Sequence, residues 1–405
     1  MMRRLLTLAC TAGIVSLSLA CSGCDVLGGG SPGGEAARSA APLLSSRPAS
    51  GSASQGASSC PAQVFSRMTE AQRVGQLFLV GIAQDPRSAA AAIAAYHFGS
   101  LLFGINSRAG VAQIGQTTRA IQSLASSRAT GGVRFFIAAN QEGGEVQGLQ
   151  GPGFSPIPPA LVQGELSPPA LEEEAASWGR ELRAAGVNLD LAPVMDVVPP
   201  GTASQNQPIG ALKREFGDNP ATAAAHGAAF IRGMRQAGIA TAAKHFPGLG
   251  RVLGNTDFAA GITDTATAPD DAYLRSFRAA VDAGVPFVMV SLATYTRIDP
   301  RHLAAFSPRV MRVMLRQQLR FRGVIISDDL GAANAVAAIS PQARGIDFVA
   351  DGGDMITSQT LAAAVVMDNA ILGRAAADSA FRAVVGSAVM RVLEAKQAYG
   401  LLPCP

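Results

Sequence analysis

Between Cys60 and Cys404 the chain alternates short, nearly unbroken apolar runs with longer stretches whose apolar residues recur three and four positions apart. An unbroken short run suits a strand buried on both faces, and the three-to-four spacing suits a helix laid against it. The runs predict strands over Gln76 to Gly81, Ser100 to Phe103, Arg134 to Asn140, Val187 to Met195, Ala240 to His245, Phe287 to Ser291, Gly323 to Asp328 and Asp354 to Thr357. The stretches between them predict helices over Ala89 to Tyr96, Gly110 to Ser126, Pro168 to Ala185, Pro220 to Ala237, Asp270 to Ala283, Pro308 to Gln318 and Ala332 to Ala350, with a final one over Ala375 to Tyr399. Strand and helix alternate, which is the mark of βα units on a parallel sheet. Eight such units fit an α/β fold closed as a single (β/α)8 TIM barrel. A doubly wound open sheet is the alternative built from the same units.

The pattern fails before Cys60. Arg3 and Arg4 precede an uncharged apolar stretch from Leu5 to Ala20 that ends in Ser18-Leu19-Ala20-Cys21, the layout of a secretory signal with a lipobox-like end. The stretch is shorter than the ~20 residues a spanning helix needs. Residues 1–20 are therefore expected to be a signal peptide, cleaved before Cys21, whose thiol takes a lipid. Cys24 offers a second position for the lipid, and an ordinary secretory signal is the simpler alternative. Residues 21–59 are dominated by Gly, Ser, Ala and Pro and cannot bury enough apolar surface to offset the entropy of ordering them. They are expected to form a flexible linker that holds a domain over residues 60–405 at the outer face of the cell membrane.

Charge narrows the choice of partner. The 33 Lys and Arg against 29 Asp and Glu give +4, and Arg3 and Arg4 leave with the signal, so the exported chain is nearly neutral. The basic residues are scattered singly among acids, with no run or aromatic interleaving that could follow a phosphate backbone. Nucleic acid is excluded as a partner. Cys60 and Cys404 bracket the patterned region, and in an exported protein they are predicted to form a disulfide; two unrelated thiols are the alternative. Closing so long a loop is worth roughly 5 to 6 kcal/mol as an upper figure.

In a (β/α)8 barrel, catalytic groups collect at the carboxyl ends of the strands. Asn140-Gln141-Glu142 follows the third strand, Asp196 the fourth, Lys244-His245 end the fifth, Ser291 the sixth and Asp328 the seventh. Each could be a satisfied rim residue, and His245 a hydrogen-bonded core histidine. Lys244 is harder to dismiss. It is one of three lysines in the chain, and an ammonium at the end of an apolar strand is costly without a partner.

Lys244-His245-Phe246-Pro247-Gly248 and Ser327-Asp328-Asp329-Leu330, with Gly75-Gln76-Leu77-Phe78-Leu79-Val80-Gly81, Leu191-Ala192-Pro193-Val194-Met195-Asp196-Val197 and Arg214-Glu215-Phe216-Gly217, resemble the single-domain β-N-acetylglucosaminidases of glycoside hydrolase family 3. The resemblance runs from Met68 to Leu402. It implies a retaining hydrolase acting through a glycosyl-enzyme intermediate on Asp328, with Asn140, Arg214, Lys244 and His245 at positions that bind a terminal sugar. It implies no metal or organic cofactor, and the sequence holds no Cys/His cluster that suggests one. The chain departs from the family in three places. Asn140 and Glu145 stand where Asp and Arg are usual, Leu249 stands where many relatives have His, and Asn255-Thr256-Asp257 replaces an Asp-Ser-His catalytic loop. By that register Asp257 is expected to be the general acid/base. The favoured substrate is a cell-wall glycan or muropeptide that yields N-acetylglucosamine; a shift to another β-sugar such as glucose, and a sugar-binding lipoprotein without turnover, are the alternatives.

Overall fold

The structure, a computed structural model, describes residues 59–404 apart from 83–85 and 105. The expected signal peptide, Cys21 and Cys24, and all but the last residue of the linker lie outside the described residues. Eight strands, β1 (Phe78–Ile82), β2 (Ser100–Phe103), β3 (Phe136–Ala139), β4 (Leu189–Asp190), β5 (Ala240–Phe246), β6 (Phe287–Val290), β7 (Val324–Asp329) and β8 (Met355–Ser358), form a closed barrel. Neighbours in the chain pair in parallel, and β8 returns to β1 with Phe78 opposite Ile356. That closure removes the open-sheet alternative. Among the described residues no helix is long and apolar enough to cross a membrane.

Strand alternation sorts the side chains into two populations. Leu79, Leu102, Phe136, Ala138, Ala242, Phe287, Met289, Val324 and Ile326 pack together inside the barrel, where the Phe136 and Phe287 rings meet edge to face at 5.3 Å. Phe78, Val80, Ala243, Val288, Val290 and Ile325 point outward into the layer shared with the helices. Continued to the carboxyl ends, the inward faces of β3, β5 and β7 lead to Asn140, Lys244 and Asp328. The strands thus deliver those three side chains to one mouth by the same alternation that fills the interior.

The opposite end is plugged by the last helix. Lys396 is fully buried there and donates to Gln76 Oε1 (2.7 Å), the Gly99 carbonyl (2.6 Å) and the Arg134 carbonyl (3.0 Å). Three acceptors match the three donors of an ammonium. Burial nonetheless pushes its pKa well below the usual lysine range.

Most predicted elements appear with small shifts at their ends, and four regions differ in kind. The fourth strand is two residues long rather than running to Met195, because Pro193 has no N–H to donate to the ladder. The expected helix from Ala332 begins only at Pro341, where Ser340 caps it. The expected final helix starts at Ser379, after an extended Asp378 that accepts from the N–H groups of Ala380 and Phe381, and is preceded by a helix that was not expected, Leu361–Ala377. That unexpected helix, Leu-Ala-Ala-Ala-Val-Val at its start, is too uniformly apolar to show a helical stripe. Two short helices, Cys60–Arg67 and Glu70–Gly75, precede β1.

Cys60 and Cys404 are joined by a disulfide with Cα atoms 6.0 Å apart, across a separation of 344 residues. Replacing Cys404 by Ser should lower unfolding stability by about 2–5 kcal/mol, read from the urea midpoint. An unchanged midpoint in the variant would show that the bridge does not form in solution.

Candidate active site

The mouth of the barrel holds a cavity of about 240 Å³ lined by Asn140, Arg214, Lys244, His245, Asp257 and Asp328, with Asn255, Phe258 and Gln359 at its edges. That volume lies below the usual range for ligand pockets and is on the scale of one sugar ring. All six candidate catalytic and sugar-binding residues of the sequence reading therefore meet in one place.

Its floor is a buried charge cluster. Glu142 is 4% exposed and Lys244 3%. Glu142 Oε1 lies 2.6 Å from Lys244 Nζ, while Arg214 donates Nε to Glu142 Oε2 (2.8 Å) and Nη2 to Oε1 (2.7 Å) in a two-pronged pairing. Asn140 Oδ1 accepts from Lys244 Nζ at 3.0 Å, and the Pro208 carbonyl accepts from Arg214 Nη1 at 2.7 Å. Burial alone would raise the Glu142 pKa, but the two cations overcome it and hold the carboxyl down at about 2. Arg214 is correspondingly raised, its own burial outweighed by Glu142. The two cations present fixed donors to hydroxylated ligands, and Glu142 keeps both in place.

Beneath the cluster, Asp190 accepts from the Gln141 N–H at 3.0 Å, and its other oxygen is buried without a partner. Burial pushes this carboxyl up to about 7 against the pull of Gln141 and Lys244.

A second unit is built on Asp196, which is fully buried. Its carboxylate accepts from His245 Nδ1 at 2.8 Å, from the His245 N–H at 3.1 Å and from the Leu249 N–H at 2.8 Å. The acceptor at Nδ1 assigns the proton to that nitrogen and leaves Nε2 to the cavity. His245 is held by a carboxylate and also lines the cavity, so the core-histidine reading accounts for only half of it. Ser291, by contrast, pairs with the Tyr295 hydroxyl at 2.9 Å, and that hydroxyl donates to the Gly248 carbonyl. It is a structural rim residue.

Asp328 and Asp329 part company at the end of β7. Asp329 is spent on backbone: it accepts from the N–H groups of Gly331 (2.8 Å), Ala332 (3.2 Å) and Gln359 (2.9 Å). Among the described residues Asp328 accepts only the Asp329 N–H, at 2.8 Å, and it lines the cavity. Burial pushes its carboxyl above the ordinary range; His245 and Lys244 oppose the shift, and the neighbouring charge of Asp257 adds to it. Asp257 itself is exposed. Its N–H donates to Asn255 Oδ1 (2.9 Å) and its carbonyl accepts from the Asn334 N–H (3.1 Å), so the backbone is fixed and the carboxylate is left to line the cavity. Asn255 serves as the cap of this turn.

Residues 69–394 match the model of the Glycosyl hydrolase family 3 N terminal domain. The chain belongs to glycosyl hydrolase family 3. Within it, a beta-hexosaminidase of Stenotrophomonas maltophilia is 35% identical over 232 residues, covering 55% of this chain and 66% of that relative, just under two thirds of its length. The crystal structure of a beta-N-acetylhexosaminidase from Beutenbergia cavernae is similar at 46% identity and a TM-score of 0.80, covering 82% of this chain and 99% of that one. A family 3 beta-N-acetylglucosaminidase from Paenibacillus is similar at 26% identity and a TM-score of 0.73, covering 82% of this chain and 63% of that one.

Glu142 is the site residue that the sequence reading passed over as part of a motif. Its signal was available: a buried Lys244 needs a carboxylate, and Glu142 follows the end of β3, two strands along the barrel from β5, by three residues. Glu142→Gln should destabilise the protein by about 3–5 kcal/mol near neutrality, because it leaves two cations buried without a counter-charge. A carboxyl at about 2 in the folded state against 4.5 in the unfolded one contributes stability that is complete above pH 4.5 and is lost as pH falls through about 2. The gap between wild type and variant, measured by denaturant unfolding, should accordingly be flat above pH 4.5 and close below it; a gap independent of pH would refute the assignment.

Proposed function

We propose that this chain is a retaining exo-β-N-acetylglucosaminidase that releases terminal N-acetylglucosamine from peptidoglycan fragments. Glycoside hydrolysis of the hexosaminidase type is supported by family membership and by the hexosaminidases it resembles. The observation that carries the mechanism is a buried carboxylate, Asp328, facing the same small cavity as the Lys244, Arg214 and Asn140 cluster.

Lys244, Arg214, Asn140 and His245 bind the hydroxyls of the terminal sugar and present its anomeric carbon to Asp328. The ionised Asp328 attacks that carbon while Asp257 gives a proton to the departing oxygen, forming a glycosyl ester and a free alcohol. Water then enters, Asp257 takes its proton, and the hydroxide displaces Asp328 with a second inversion, so configuration is retained. Lys244 and His245 pull the Asp328 carboxyl down against its burial, which favours the ionised form that the attack needs. His245, oriented by Asp196, is the second group placed to move a proton.

Asp328→Asn should abolish turnover in a folded protein, and a 2-fluoro sugar should leave its adduct on Asp328 in a mass-mapped digest. Since Asp328 must be ionised and its carboxyl lies above the ordinary 3.8, the acid limb of kcat/KM should fall above that pH. Asp257→Ala should cost about 10²–10⁴-fold on a poor leaving group and less on an activated aryl glycoside, with azide restoring deglycosylation. Small and equal losses on both substrates would move the proton transfer to His245.

Peptidoglycan as substrate goes with placement at the outer face of the cell membrane through a lipid on Cys21, where cell-wall material lies within reach of a tethered domain. The processed protein should partition into the detergent phase, and Cys21→Ser should release it to the aqueous phase. Aqueous partitioning of the wild type would leave a secreted enzyme with the same chemistry.

A further inference from the structure

Phe258 is 78% exposed, the most exposed of the large apolar side chains among the described residues, and it joins no apolar cluster. A single exposed phenyl ring means little by itself. This one lines the same cavity as Asp257 and Asp328, and its backbone is held on both sides. The Phe258 carbonyl accepts from Asn334 Nδ2 at 2.9 Å, and the Phe258 N–H donates to the Asn255 carbonyl at 3.1 Å. The Asn334 and Ala335 N–H groups bond the Asp257 and Thr256 carbonyls at 3.1 and 3.0 Å. Residues 255–258 are therefore tied to the segment that continues β7, the strand of Asp328, and the ring is exposed on a loop that is fixed in place.

We propose that Phe258 is the platform of an aglycone subsite that takes the apolar face of a pyranose ring; this rests on the reading of Asp257 as proton donor and Asp328 as nucleophile. The cationic floor of Lys244 and Arg214 receives the sugar that is cleaved off. The oxygen that departs faces Asp257, so the group attached to that oxygen leaves the cavity past the next residue, Phe258. A pyranose presents a face of C–H groups with hydroxyls around its edge, and that face covers an aromatic ring while the hydroxyls stay in water. Because the backbone that carries it is already held, the ring gives up only side-chain rotamer freedom when it is covered. The platform makes a second sugar the preferred leaving group over a small alkyl one.

The test compares three β-N-acetylglucosaminides whose aglycones are methyl, octyl and a second N-acetylglucosamine. Phe258→Ala should lower the ratio of kcat/KM for the disaccharide over the methyl glycoside about two- to tenfold, the span of a single aromatic contact, chiefly through KM. Phe258→Tyr, which keeps the ring, should restore it. An unchanged ratio in Phe258→Ala overturns the platform, and an equal loss with the octyl glycoside overturns the sugar as its occupant. If the wild type cleaves the methyl glycoside and the ratio does not move, the platform alone fails. If the wild type binds but does not cleave, the ratio of dissociation constants reads the platform while the catalytic reading fails; if it neither binds nor cleaves, both fail.

Discussion

The site depends on one ion cluster. Lys244 and Arg214 are cations placed where water is scarce, and Glu142 between them supplies the counter-charge for both. Because Glu142 engages Arg214 with both oxygens and Lys244 with one, it fixes direction as well as charge. The donors that face the cavity are aimed before a ligand arrives, and a polar ligand meets groups that need no reorganisation. The same cluster sets the field in which Asp328 works, since Lys244 pulls its carboxyl down while burial lifts it.

Around this cluster the two ends of the barrel have separate tasks. At the amino-terminal end of the strands, Lys396 ties together the entries to β1, β2 and β3 through neutral acceptors, and the Cys60–Cys404 bridge joins the termini. At the carboxyl-terminal end, strand backbone gives way to loops that are bonded to one another. Asp329 ties the turn after β7 to the end of β8 through the Gln359 N–H, and Asn334 ties that same region to the loop bearing Asp257 and Phe258. Asp328 and its neighbour Asp329 thus part at the end of β7, one facing the cavity and the other facing backbone.

Much of this was legible along the chain. Unbroken apolar runs located every barrel strand, because burial on both faces leaves no polar positions to interrupt them. Placing Asn140, Lys244 and Asp328 at strand ends followed from the same runs, and their convergence followed from closure of the barrel. That Asp328 and Asp329 would face different ways was also readable, since alternation sends consecutive side chains to opposite faces. Less legible were the helix Leu361–Ala377, whose uniformly apolar start shows no stripe, and the two-residue fourth strand, where Pro193 interrupts the donors.

Local pattern determined the strands, the order of the units and the residue types at their ends, because period and apolarity act over a few neighbouring positions. It could not say which charges pair. Glu142 with Lys244 and Arg214, Asp196 with His245, and Asn334 with the loop of Phe258 are contacts between segments far apart in the chain. Their geometry exists only once the barrel has closed. The tertiary structure alone decided that Asp190 would be buried with one oxygen unpartnered and that Phe258 would stand exposed at the cavity edge, because burial is a property of what surrounds a residue rather than of the residue itself.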